Sequence, residues 1–171
     1  MKFKIMKRKI SYLMKLFSLT IMLACIAPAL TEAQSGKTDF TGNWIVNAEK
    51  STQPQNGGGN QRMGGGNFTL TQEANLMTRT RTGQDGTTRV SKYTLDGKES
   101  VNTTGRGESK SIAKWSGDGK TLTIVTRIKI DGNERTVTET WSLIDAKTLS
   151  ILVIRQNNDG DVKYSMVFDK K

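Results

Sequence analysis

Residues 120–143, KTLTIVTRIKIDGNERTVTETWSL, decide the fold. Asp131-Gly132 reads as a two-residue turn, because Asp and Gly both tolerate the positive φ of a type I′ turn. It pairs Ile130 with Asn133, and therefore Ile124 with Glu139 and Leu122 with Trp141. Leu122, Ile124, Thr126, Ile128 and Ile130 then share a face with Val137, Glu139, Trp141 and Leu143. The opposite face carries Thr121, Thr123, Arg127, Lys129, Thr136, Thr138 and Thr140. The segment is a hairpin with one apolar side and one wet side.

The pattern spreads from there. Downstream, a short loop at 144–148 keeps Leu149, Ile151, Val153 and Arg155 on the apolar face. The Asn157-Asn158-Asp159-Gly160 turn then sets Val162, Tyr164, Met166 and Phe168 opposite them. Upstream, turn signals recur at Gly83-Gln84-Asp85-Gly86, Asp96-Gly97 and Gly117-Asp118-Gly119. Their spacing, mostly about 11 to 14 residues, is the rhythm of successive hairpins. Strands are expected near 40–47, 67–73, 75–82, 87–95, 98–103, 110–116, 120–130, 133–143, 149–156 and 161–169. No stretch from residue 34 on repeats apolar residues at i, i+3, i+4, so no helix is expected. Such a chain avoids exposed edges by closing into an all-β, antiparallel up-and-down barrel of about 8–10 strands, and an even number lets the first and last strands pair. The turns near 83–86, 104–109, 131–132 and 157–160 and the 48–66 loop gather at one end, the top. The outward face is Thr, Lys and Arg, whereas a membrane barrel needs an apolar outer band.

Residues 1–33 read as a signal peptide. Lys2, Lys4, Lys7, Arg8, Lys9 and Lys15 form a basic start, and Leu16 to Leu30 is almost wholly apolar. That run is short of the roughly 20 residues a membrane span needs. Two processing routes stay open: cleavage after Ala33, or a lipid anchor at Cys25 after Met22-Leu23-Ala24. Either way the chain is exported, to the periplasm or the exterior. Residues 34–171 form one domain, with no transmembrane span and no Cys to staple it in an oxidising compartment.

Composition removes several functions. The chain of 171 residues has no His, so there is no imidazole base, Ser-His or Cys-His nucleophile pair, or His-ligated metal. Its net charge of +10 is half signal: residues 1–33 hold six Lys/Arg and one acid, leaving 20 basic and 15 acidic residues, a net of +5. No catalytic constellation, cofactor motif or metal site is expected. The Gly57–Gly66 stretch lacks Gly-Lys-Ser/Thr and reads as a loop over the barrel mouth. Asn157–Asp161 lacks the closing Glu of a calcium loop.

Phe40-Thr41-Gly42-Asn43-Trp44, followed by Asn47-Ala48-Glu49-Lys50-Ser51, resembles the opening of bacterial lipocalin-like secreted proteins. The Gly-x-Trp also resembles the first lipocalin signature, in which the Trp plugs the closed end of the barrel. The resemblance implies a small calycin-type barrel whose cavity binds an apolar molecule. Its members are largely without assigned activity.

Within the barrel, Trp115, Leu122, Trp141 and Ile151 form a row expected to be core, with Trp44 in the same packing. Arg155 and Glu139 fall on the inner face as diagonal neighbours. A buried charge needs a partner, so they either pair with each other or Arg155, with the nearby Tyr164 hydroxyl, anchors an anionic head group. Pairing Thr82 with Thr87 places Leu76, Thr78, Thr80, Arg89, Ser91, Tyr93 and Leu95 inward, with Arg89 and Tyr93 as further ligand contacts, and turns Arg79, Arg81 and Lys92 outward. That outer basic stripe has no interleaved aromatics, so no nucleic-acid partner is expected. The protein is expected to be a monomer holding a small hydrophobic or anionic amphiphilic ligand. The alternative is a filled barrel serving as a structural or interaction protein of the cell envelope.

Overall fold

The computed structural model describes residues 36–52, 66–83, 85–104, 107–130, 133–157 and 160–171. Residues 1–33 with Cys25, most of the 48–66 loop, and the tips Asp131-Gly132 and Asn158-Asp159 lie outside these. The strands are β1 (Gly42–Asn47), β2 (Phe68–Gln72), β3 (Leu76–Thr82), β4 (Thr88–Thr94), β5 (Glu99–Thr104), β6 (Gly107–Trp115), β7 (Thr121–Ile130), β8 (Asn133–Asp145), β9 (Thr148–Asn157) and β10 (Gly160–Lys170). They form one antiparallel sheet in the order β4-β3-β2-β1-β10-β9-β8-β7-β6-β5. Among the described residues there is no helix. First and last strands pair, with Trp44 opposite Lys170 and Val46 opposite Phe168, which makes an up-and-down barrel.

The registers from β6 to β10 follow from the sequence. Leu122 faces Trp141, Ile124 faces Glu139, Val153 faces Glu139 on its other side, and Tyr164 faces Val153. The β3–β4 hairpin departs from expectation by one residue: Thr82 pairs with Thr88, not Thr87. The cause is the turn. Asp85 accepts the Thr87 N–H at 3.0 Å, Gly86 takes φ +74°, and the Gly83 N–H reaches the Thr87 carbonyl at 2.8 Å, which lengthens the loop to 83–87. A one-residue slip turns every side chain of a strand over. Met77, Arg79 and Arg81 therefore face inward with Tyr93, and Leu76, Thr78 and Thr80 face outward.

Closure is not complete. β4 and β5 are neighbours in the chain yet share no backbone ladder. Side chains of β5 stitch the seam. The Asn102 amide accepts from the Lys92 N–H at 2.7 Å and donates to the Lys92 carbonyl at 2.9 Å, and Ser100 Oγ accepts from the Thr94 N–H at 2.8 Å. A primary amide offers the same donor and acceptor as a peptide group, so it substitutes for a missing strand partner.

The lower half of the interior is packed. Phe40 stacks on Trp115 (centroids 5.7 Å apart, planes 5° apart) and meets Trp141 edge-on at 6.0 Å. Phe68 bridges Trp141 and Phe168 at 5.8 and 4.9 Å. Such pairs each add about 0.5–1.5 kcal/mol beyond the area they bury. Trp44 belongs to this core, fully buried, its indole N–H donating to the Phe40 carbonyl at 2.8 Å. The stretch after it is a clasp rather than a site. Asn47 accepts from the Lys50 N–H and donates to Asp169 at 2.6 Å, while Ser51 Oγ accepts from the Val167 N–H at 2.9 Å.

Candidate functional site

Polar chemistry is concentrated in the upper half of the lumen. β3 carries Arg79 and Arg81 there because alternation places both on the face of Met77, opposite Leu70 and Phe68 of β2. β8 and β9 supply Glu139 and Arg155, β4 and β10 supply Tyr93 and Tyr164. β3 and β8 are far apart in the strand order, so a contact between them crosses the barrel. Arg79 makes that contact. Its Nη1 donates to Glu139 at 3.1 and 3.3 Å and its Nη2 to the Tyr93 hydroxyl at 2.6 Å. The guanidinium also lies over the Tyr93 and Trp141 rings at 5.4 and 5.5 Å. This bridge caps the aromatic core.

Burial would push the Glu139 carboxyl up, but the Arg79 and Arg81 guanidiniums more than offset this and hold it below the ordinary carboxylate range. It is ionised, and it serves Arg79. Arg81, one turn of alternation higher, makes no hydrogen bond or ion pair to any described residue. Its Nε is buried without a partner, and its guanidinium rests over the Phe68 ring at 5.6 Å. Burial, then repulsion from Arg79, lowers its pKa to about 10. Arg155 stacks over the Tyr164 ring at 5.3 Å and has no carboxylate partner among the described residues. Burial raises the Tyr164 phenol above its usual value despite the neighbouring Arg155, so it keeps its proton as a donor.

The expected Glu139–Arg155 pair does not form; Arg79 reaches across the barrel and takes the carboxylate instead. Arg89 shares the face of Tyr93 but stands exposed at the mouth, 3.7 Å from Asp85. Arg79 and Arg81, read from sequence as an outer stripe, are the central cations of the interior. β3 has apolar residues on both parities, Leu76 and Met77, so its hydrophobic pattern could not fix its face. The available signal was Glu139 itself, a buried acid in need of a cation. Around this cluster Thr126, Ile128, Val137 and Val162 are half-buried, and Val137 and Val162 pack against the core.

No protein-family model matches the sequence, and no curated protein matches it. Solved structures with a similar fold include the following three. A secretory abundant heat soluble protein from Ramazzottius varieornatus aligns with TM-score 0.55 and 12% identity over 77% of this chain and 95% of that chain. A variant of the fluorescent protein UnaG aligns with TM-score 0.50 and 18% identity over 77% and 96%. Zebrafish ileal bile acid-binding protein complexed with cholic acid aligns with TM-score 0.47 and 21% identity over 61% and 72%. What the chain shares with these proteins is its fold, a calycin-like antiparallel β-barrel.

Proposed function

We propose that this protein is an exported barrel that holds a small amphiphile in the upper half of its interior, with an anionic head group at Arg155, Arg81 and Tyr164. One observation carries the proposal: two guanidiniums on the inner face make no ion pair to a carboxylate among the described residues, above a packed aromatic floor. Charges held that way cost several kcal/mol unless something compensates them, and an anionic ligand does so. Half-buried Val137, Val162 and Ile128 share the inner face with these arginines and suit an apolar tail. Export rests on the basic and apolar pattern of residues 1–33.

Displacement of a fluorescent fatty acid tests the function. The protein should bind the probe, and Arg155→Ala should weaken binding at least about tenfold, the loss of one charge-assisted contact. Absence of binding would favour the filled structural barrel, to which the packed lower half already conforms.

A further inference from the structure

We propose that the head group taken at this site is a dianion, a phosphate monoester, gripped between Arg81 and Arg155. This rests on the interior-binding function proposed above and names its ligand class. The charge balance of the inner face carries it. Arg79, Arg81, Arg89, Arg135 and Arg155 share the inner parity, and Glu139 is the one carboxylate on that face among the described residues. Glu139 is consumed by Arg79, and Arg89 is exposed beside Asp85. Arg135 is exposed at the mouth, where water screens it. Two interior cations remain. A carboxylate or sulfate ester would compensate one of them; a phosphate monoester at neutral pH compensates both.

Donor geometry agrees. Arg81 Nε is buried and unpartnered, and each of the two guanidiniums lies over a ring, Phe68 for Arg81 at 5.6 Å and Tyr164 for Arg155 at 5.3 Å. A ring beside a guanidinium limits where it can move, and the guanidinium's fork of donors suits bidentate contact with a phosphate. The Tyr164 phenol lies in the field of both Arg155 and Arg81, so it is an O–H donor available to a group held between them. Residue type points the same way. Lys92, Lys110, Lys114, Lys129 and Lys163 lie on the outer face, while the upper inner face uses Arg alone, the side chain suited to planar, two-point recognition.

Calorimetric titration with octyl phosphate, octyl sulfate and octanoate tests the proposal. Sulfate matches phosphate in shape but carries one charge. At pH 7.5 octyl phosphate should bind at least about tenfold tighter than either monoanion. Its advantage should shrink about tenfold per pH unit below roughly pH 6, as the dianion gains a proton. The chain has no His, Glu139 titrates below this range, and Tyr164 and Arg81 titrate above it, so the ligand sets that slope. Arg81→Gln should abolish the preference for phosphate over sulfate while octanoate still binds, which also reports a folded variant. Equal affinity for phosphate and sulfate, with octanoate bound, overturns the dianion proposal and leaves the interior-binding function standing. A preference that survives in Arg81→Gln overturns the assignment to Arg81. Failure of all three ligands to bind overturns both proposals.

Discussion

At Glu139 two effects of opposite sign meet. Burial disfavours the carboxylate, Arg79 at 3.1 Å and Arg81 favour it, and the cations win. A carboxyl whose folded pKa lies below its unfolded one stabilises the fold above the unfolded value, and that stability is lost as pH falls through the folded value. Glu139→Gln strands the buried Arg79 guanidinium, so it should cost about 3 kcal/mol at neutral pH and flatten the acid limb of stability below the ordinary value of 4.5. Urea denaturation across pH measures both. Arg79→Leu combined with Glu139→Leu should recover most of the loss, because a buried pair replaced by apolar side chains strands neither member of the pair. The inward position of Glu139 was legible, since a two-residue turn pins β7 to β8. Its partner was not, because a contact across the barrel joins strands that no ladder relates.

The same divide runs through the elements. All ten strands could be read from alternation and turn residues, and the registers from β6 to β10 followed from short turns. The β3–β4 hairpin failed on one residue, because the Asp85 and Gly86 turn consumes one more position than its composition suggests. The seam was hidden for another reason. Val101 is the residue of β5 that simple alternation would turn inward, yet it is 53% exposed, and the polar Ser100 and Asn102 are the buried ones. Asn102-Thr103-Thr104 reads as a glycosylation acceptor; in the fold its amide is a strand partner. Asn102→Ala should therefore release the Lys92 N–H and C=O, lowering stability by about 1 kcal/mol. Amide exchange at Lys92 should quicken several-fold while β8 and β9 amides keep their protection. Unchanged exchange at Lys92 would show that the stitch holds nothing. The turn between β6 and β7 is tighter: Gly119 takes φ +69°, and a Cβ there would stand 2.5 Å from the Gly36 carbonyl oxygen, so that position tolerates only glycine.

For the whole molecule, the sequence determines a ten-strand barrel, a charged outer wall and a sealed aromatic end, and it leaves the interior chemistry undetermined. Charge illustrates why. Of the net +10, half belongs to residues 1–33, and among the described residues the cations on the upper inner face are all arginines, a sorting that only a closed sheet with known faces displays. The β1–β10 clasp has a consequence in time. Every other ladder joins strands consecutive in the chain and can form hairpin by hairpin, but Asn47 and Asp169 lie 122 positions apart. The entropy of closing so long a loop grows slowly, by about 0.6 kcal/mol per doubling, yet it must be met before any of that ladder's bonds form. Folding is thus a fast zippering that waits on one late encounter. Asn47→Ala, which loosens the clasp, should slow refolding more than it speeds unfolding in stopped-flow chevrons. The short Asn-x-x-Lys-Ser signature at the start of the barrel then acts as the latch that sets its clock.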